Sequence, residues 1–184
     1  MSLRSHLPRI VIAAGAAASI ATTQLWWTVE QTASLDPSVL DEQNPTRLYA
    51  IQATAETGKR TPASPDGEVD ISIDLSAREG TGVQSINVEV ELSSPTDGGI
   101  QTLSLTVPPG GHATGTVSVN VWEGCMPPSC TENLTLTLRR QQAVGSPTID
   151  VTGSVYAQFR GAESRDPPPG AGIVLDITNV GPVP

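Results

Sequence analysis

Apolar residues recur at every second position through most of this 184-residue chain. From residue 69 to 75, for example, Val69, Ile71, Ile73 and Leu75 alternate with aspartate and serine. A period of two places one side of a segment in a core and the other in water, as in a half-buried β-strand. Seven further segments share this alternation, at 49–55, 86–92, 103–107, 117–121, 134–138, 149–159 and 173–177. No segment after residue 45 has apolar residues at helical spacing, so the chain must pair strands.

Turn-forming residues separate these segments, which predicts how the strands assemble. Gly, Pro, Asp and Ser cluster between them, as expected of turns in an antiparallel sheet. Two such sheets, each with one apolar face, bury those faces against each other. We therefore expect an all-β, two-sheet antiparallel β-sandwich of the Ig-like kind, with about eight strands over residues 47–181. An apolar N-terminal helix precedes it in this prediction.

The N-terminal segment 1–29 has a different composition. Arg4 and Arg9 precede an uncharged run that begins at Ile10, and the first acidic residue of the chain is Glu30. A basic start followed by an apolar run is typical of an export signal. The segment therefore predicts that the rest of the chain lies outside the cytoplasm, in the periplasm, on the cell surface or in the medium.

Two interpretations of the export segment remain open. A signal peptide would be cleaved after Ala21, which has the small residue Ser19 two positions before it. An uncleaved run over 10–29 would rise about 30 Å and anchor the chain, with Trp26 and Trp27 at the far membrane interface. In that case the anchor is the only predicted contact with a membrane. A buried helix of a cytosolic protein fits less well, because the run has a basic flank and no polar face.

Residues 30–46 are polar, contain Pro37 and Pro45 and indicate a linker.

The charge of the chain argues against some classes of partner. Beyond residue 29 lie all nineteen acidic residues and eight of the ten Lys and Arg residues, a net charge of −11. This balance argues against binding to nucleic acid or to an anionic membrane surface. It is compatible with solubility alone, and the sharper hypotheses are a basic partner or a bound cation.

The two cysteines lie close together, with four residues between them. In an exported chain, Cys125 and Cys130 are expected to form a local disulfide. The loop that it closes is either a rigid recognition loop containing Met126, Pro127 and Pro128 or a stapled connection between strands. The four-residue spacing argues against a redox site, which typically has two residues between its cysteines, as in CxxC. Two thiols and one distant histidine are also too few ligands for a zinc site.

The sequence carries no recognisable catalytic motif. His112 is the one histidine after the export segment and lies at a predicted turn tip, so we include it among the candidate recognition residues. No nucleophile elbow, P-loop, dinucleotide-binding fingerprint, HExxH motif or EF-hand spacing occurs. We predict that the protein is not an enzyme and needs no cofactor.

One pair of acidic residues raises the question of calcium. If segments 69–75 and 86–92 formed a hairpin, Asp70 would lie opposite Glu91, and like charges directly opposed destabilise a sheet. Either the two strands belong to different sheets, or Ca²⁺ bridges the carboxylates. We expect different sheets, because oxygen ligands spaced along strands lack the closed geometry of a calcium loop.

A turn rich in proline and glycine at 108–112 predicts a hairpin. This loop would set Leu105 opposite Gly115, with their side chains on one face. The stretch LSLTVPPGGHATGTVSVNV resembles a strand, turn and strand of exported bacterial Ig-like domains, including cell-adhesion-related and fibronectin type III-like modules. The resemblance implies the fold and the extracytoplasmic setting, and it implies no catalytic residues.

Together these features predict a non-catalytic binding or structural module of the cell envelope. Its partner would be another envelope or extracellular protein, held through loops or by strand addition at a sheet edge. The loops to consider are 108–112, 123–132 and 161–172. The alternatives are an accessory subunit or inhibitor-like partner of an exported enzyme, and a hydrolase that lacks a recognisable motif.

Overall fold

The computed structural model describes residues 26–58, 63–78, 84–95, 99–126, 128–141, 147–162 and 166–182. The predicted export segment, apart from residues 26–29, lies outside these residues, as do Pro127 and part of the 161–172 loop. Across the part of the chain that the structure describes, no helix combines the length and apolarity needed to cross a membrane.

The described chain is all-β and forms two antiparallel sheets. Sheet A has the order β1-β9-β4-β7, with β2 beside one end of β9, and sheet B has the order β10-β3-β8-β5-β6. The strands are β1 (Trp26–Ser34), β2 (Ser38–Leu40), β3 (Thr46–Thr57), β4 (Ala63–Ala77), β5 (Ile86–Ser93), β6 (Ile100–Val107), β7 (His112–Val121), β8 (Ser129–Arg140), β9 (Ile149–Ala162) and β10 (Ala171–Gly181). The eight strands expected from the alternation correspond to β3–β10, and the predicted two-sheet architecture is confirmed.

The apolar positions of the alternating segments form one core between the sheets. The core contains an aromatic cluster centred on Phe159, which is fully buried. The Phe159 ring meets Trp27 edge to face at 5.4 Å between centroids and Trp122 at 5.6 Å. Trp122 also donates its indole N–H to the carbonyl oxygen of Ala53 in sheet B, 3.4 Å away. These rings therefore join both sheets at one end of the core.

Tyr49 fixes the start of the domain to sheet B. Its hydroxyl lies 2.7 Å from Ser38 Oγ and donates to the carbonyl oxygen of Asp36 at 2.9 Å. Burial raises the pKa of Tyr49, and the hydrogen bond with Ser38 acts in the opposite direction. The phenol stays neutral and satisfies the carbonyl group of Asp36, which lies between β1 and β2, and the hydroxyl of Ser38, which begins β2.

The segment 30–46, predicted as a linker, contains β2 and the larger part of β1, both in sheet A. β1 and β2 lie along one edge of β9, and Trp27 is buried against Phe159 rather than placed at a membrane interface. The alternation is weak here because the polar residue Gln31 stands where an apolar residue would extend the pattern. Gln31 is exposed. The sequence therefore shows the apolar pattern of this strand only at its first residues.

The connection at 108–111 crosses from one sheet to the other instead of closing a hairpin. β6 pairs with β5, and β7 pairs with β4, so the predicted pairing of Leu105 with Gly115 is wrong. Leu103 and Leu105 instead lie over Gly115 from the opposite sheet. Alternation shows which side chains face the core. It does not show whether the next strand pairs beside them in the same sheet or lies across the core in the other sheet.

The expected separation of the two acidic strands is confirmed. β4 belongs to sheet A and β5 to sheet B, so Asp70 and Glu91 are not cross-strand neighbours. Asp70 lies opposite Ser118 and Tyr156. The like-charge conflict of the hairpin arrangement therefore does not arise.

The strands run between two ends of the sandwich. At one end, which we call the Trp26 end, the start of β1 lies near the end of β9, and the loop after β7 meets the end of β3 at Thr57. At the opposite end, which we call the His112 end, the start of β7 lies opposite Ser76 near the end of β4.

Candidate functional site

The structure separates the recognition residues predicted from the sequence. Met126 and Pro128 lie in the loop after β7, at the Trp26 end. His112 begins the same strand and lies at the other end of the sandwich. His112 therefore does not share a site with the cysteine loop.

The disulfide between Cys125 and Cys130 is present and closes the predicted loop. Pro128 is held against β3, because the backbone N–H and the hydroxyl of Thr57 both donate to its carbonyl oxygen, at 3.1 and 3.2 Å. Met126 is 73% exposed. The loop thus presents one large apolar side chain to solvent from a backbone that is fixed at both sides.

Replacing both cysteines with serine is expected to lower the free energy of unfolding by about 2 kcal/mol, because the crosslink restricts a short loop of the unfolded chain. Urea denaturation of the C125S/C130S variant against the oxidised parent measures this loss. The reduced parent is the matched control and should behave like the variant. A variant as stable as the oxidised parent would contradict a stabilising role for the crosslink.

Beside this loop, the outer face of sheet A carries a cleft of about 500 Å³. Three carboxylates and one guanidinium line it, together with side-chain amides and backbone: Pro65, Asp66, Gly67, Glu68, Asn120, Val121, Glu123, Gly124, Gln158 and Arg160. The described lining of the cleft is therefore acidic overall, and it lies at the Trp26 end.

Arg160 is the cation that the described residues contribute to the cleft, and two contacts hold it in place. Arg160 donates from Nε to Asp66 Oδ1 at 2.6 Å and from a terminal nitrogen to Asp66 Oδ2 at 3.1 Å. This pairing raises the pKa of Arg160. The guanidinium carbon also lies 5.9 Å from the ring centroid of Trp26. Arg160 neutralises Asp66 and leaves Glu68 and Glu123 without an ion-pair partner among the described residues.

A glycine gives the cleft a rigid backbone floor. An ideal Cβ on Gly67 would lie 2.5 Å from Cε3 of Trp122 and against the backbone oxygen of Gln158. Only glycine lets Trp122 pack beneath β4 at this point. The floor therefore rests directly on the aromatic group of the core.

The acidic surface extends along sheet A beyond the cleft. Gln158 donates to Glu30 at 3.2 Å and to the hydroxyl of Tyr156 at 3.3 Å. Burial and hydrogen bonding to Glu30 raise the pKa of Tyr156. Asp70 has a shielded Oδ1 that no donor in the described chain contacts. The carboxylates of Glu30 and Asp70 add negative potential next to the cleft.

The arrangement is suited to binding a cationic group rather than to activating a nucleophile. Glu68 and Glu123 can accept hydrogen bonds from an ammonium or guanidinium, and Asn120 and Gln158 offer amide oxygens. Within the described ranges, no group of three His, Cys, Asp or Glu side chains is placed to hold a metal ion.

The sequence alone does not reveal this cleft. Its residues come from β4, from the end of β7 with the loop that follows it, and from β9, so the site exists only through the strand order of sheet A. The available signal was the acidic alternation of Asp66, Glu68 and Asp70 on one side of β4.

Comparison with known proteins gives no family for this chain. No family model matches, and no curated protein matches. Similar solved structures include the virus-like particle of extra small virus of the giant freshwater prawn Macrobrachium rosenbergii, at 11% identity over 85% of this chain and 93% of that chain, with a TM-score of 0.27. Broad bean stain virus is similar at 11% identity over 77% and 90%, with a TM-score of 0.24.

The endospore appendages of Bacillus, described as disulfide-linked pili, are similar at 10% identity over 87% of this chain and 100% of that chain, with a TM-score of 0.20. Scores this low carry no argument about function.

Proposed function

We propose that this protein is a non-catalytic binding module outside the cytoplasm, which holds a basic segment of another envelope or extracellular protein at its Trp26 end. The observation that carries the proposal is the position of the acidic cleft. It lies at the same end of the sandwich as two exposed large apolar side chains, Trp26 and Met126. Charge and apolar surface together are what a protein partner needs for docking.

The charge of the cleft selects the chemistry of the partner. Asp66 is engaged by Arg160, while Glu68 and Glu123 line the cleft and form no ion pair within the described part of the chain. A Lys or Arg side chain of the partner would supply that cation and form charge-assisted hydrogen bonds. The net charge of −9 for the whole chain also attracts a basic partner at long range.

The exposed apolar groups supply the contact area. Trp26 is 42% exposed, and its ring is held by Arg160, while Met126 projects from the disulfide-closed loop. Tryptophan and methionine are enriched at protein interfaces, and a preorganised loop loses little conformational entropy on binding.

The extracytoplasmic setting rests on two features. The Cys125–Cys130 disulfide is typical of proteins that fold away from the reducing cytoplasm. The basic and apolar segment that precedes β1 supplies an export signal or anchor in the same proposal. We also propose that the sandwich is Ig-like, because the β6–β7 stretch resembles exported bacterial Ig-like domains.

A titration with defined peptides tests the binding site. The full-length protein is titrated calorimetrically with a decapeptide of alternating arginine and glycine, and the glutamate–glycine decapeptide serves as the ligand control. The E68Q/E123Q variant should bind the arginine peptide about tenfold more weakly than the parent, because each lost charge contact is worth about 0.5–1 kcal/mol.

The matched control is the E89Q/E91Q variant. It also removes two negative charges, but from β5, on the outer face of sheet B. It should bind the arginine peptide as the parent does. If both variants bound the peptide equally weakly, net charge alone would explain the effect and the assigned site would be overturned. A parent protein that does not bind the peptide would overturn it as well.

A further inference from the structure

Arg140 places a charged side chain inside the end of sheet B. It is the last residue of β8, and it lies on the same face of that strand as Leu136 and Leu138, which are fully buried. Arg140 itself is only 5% exposed, and its cross-strand neighbour on β5 is the fully buried Val88. Because a guanidinium is always charged in proteins, this position carries a positive charge at the margin of an apolar core.

The guanidinium of Arg140 has no acceptor within the described chain. Its Nε and both terminal nitrogens are shielded from solvent, and none of the three has a hydrogen-bond partner there. The backbone N–H of the same residue is satisfied, since it donates to the carbonyl oxygen of Pro45 at 2.8 Å. A buried charge without a counter-ion or acceptors is strongly destabilising, so this group needs a partner.

Two carboxylates at the same end of the sandwich are engaged elsewhere. Asp150 accepts from Arg78, with the shortest of three N–O distances at 2.7 Å. Asp41 Oδ1 accepts from the backbone N–H and the side-chain amide of Asn44, at 2.6 and 3.1 Å. Neither carboxylate bonds to Arg140. The described chain therefore supplies no counter-ion to this guanidinium.

We propose that Arg140 anchors a binding site for a carboxylate at the His112 end of the sandwich. The planar fork of N–H donors on a guanidinium matches the two oxygens of a carboxylate. One negative charge also balances the single positive charge, whereas a dianion such as phosphate would leave a buried excess of charge. The carboxylate belongs either to a small organic acid or to the C-terminus of a partner chain, and both sources present the same group to Arg140.

The position of Arg140 gives a ligand a short route to it. β8 ends at this residue, and its chain neighbours Arg139 and Gln141 are both exposed. A carboxylate that enters from the end of the sandwich reaches the guanidinium without crossing the core. The acidic cleft lies at the opposite end, so this inference is independent of the proposed binding of a basic segment, and either can fail alone.

Nuclear magnetic resonance of arginine side chains in the full-length protein tests the site. The Nε–H signal of Arg140 is identified by its loss in the R140M variant. Sodium acetate should shift this signal saturably, and sodium chloride at the same ionic strength should not. The signal of the exposed Arg139 is the internal control and should not saturate with acetate. An Arg140 signal that acetate leaves unchanged, or that chloride shifts equally, would overturn the proposal.

Two further probes separate the sources of the carboxylate. N-acetyl-trialanine with a free C-terminus and N-acetyl-trialanine amide differ only in their terminal group. A shift of the Arg140 signal with acetate and with the free tripeptide supports the terminus of a partner chain, whereas a shift with acetate alone supports a small organic acid. An equal shift with the tripeptide amide would overturn recognition of a carboxylate.

Urea denaturation tests the cost of leaving Arg140 unpaired. In buffer without carboxylates, R140M should be at least as stable as the parent, because it removes a buried charge and keeps a long apolar side chain. Acetate at ten times its measured dissociation constant should raise the folding equilibrium constant of the parent about tenfold and leave that of R140M unchanged.

The matched control for R140M is R139M, which removes the exposed neighbouring charge. It should gain stability from acetate as the parent does. Equal gains in R140M and R139M would overturn the site. An R140M variant much less stable than the parent in acetate-free buffer would also overturn it, because the chain itself would then satisfy the guanidinium.

Discussion

Phe159→Ala is expected to lower the free energy of unfolding by about 3–5 kcal/mol. The side chain is fully buried and contacts Trp27 and Trp122 edge to face. Its removal leaves a cavity between two rings that cannot collapse, because Trp122 is held under Gly67 and bonded to sheet B. Aromatic contacts that add to simple burial are lost at the same time.

Urea denaturation monitored by tryptophan fluorescence measures this loss. The matched control is Ile100→Ala, at an apolar residue that is 61% exposed, and it should change the stability by less than about 0.5 kcal/mol. Similar losses in the two variants would contradict the position of Phe159 in the core.

Gly153→Ala is expected to destabilise the fold by about 3 kcal/mol, at the upper end of the usual cost of overpacking. A Cβ at this position would meet the backbone oxygen of Ser72 and would lie 2.9 Å from Cδ1 of Leu35. Ser72 belongs to β4, which pairs with β9 at this point, so relief would require the central ladder of sheet A to shift.

Gly172→Ala is the control for this substitution. It has the same chemistry on β10, where an added Cβ meets nothing within 4 Å. Replacing glycine there removes freedom from the unfolded chain and should be neutral or stabilising. Thermal unfolding of both variants measures the difference, and equal melting temperatures would contradict the close approach of β4 to Gly153.

Much of the architecture could be predicted from the sequence because burial on one face leaves a period of two. β3–β10 each retain that pattern, and the number of core positions is large. β1 could not be assigned, since its buried Trp27 is followed by the exposed Gln31 within the same strand. Its membership of the core depends on contact with Phe159, which lies far along the chain.

The strand partners and the cleft could not be predicted for a related reason. Apolar alternation at β6 and β7 is satisfied equally by a hairpin and by two strands facing each other across the core. The ion pair of Arg160 with Asp66 joins residues 94 positions apart and requires β4 to lie beside β9. No local pattern reports such a neighbour.

The placement of β1 also changes how the protein should be prepared. A fragment that begins at Pro45 lacks β1 and β2, and with them Trp27 and the contact of Ser38 with Tyr49. Binding experiments therefore need the full chain, which retains Trp26 at the proposed contact surface.

The central claim is that the Trp26 end of sheet A binds a basic segment. Backbone amide chemical-shift mapping with the arginine–glycine decapeptide tests the location directly. We predict that the largest shifts fall on Gly67, Glu68 and Gly124, around the cleft, with small shifts at Glu89 and Glu91 on sheet B. Shifts concentrated on β5, or spread evenly over all acidic residues, would contradict the claim.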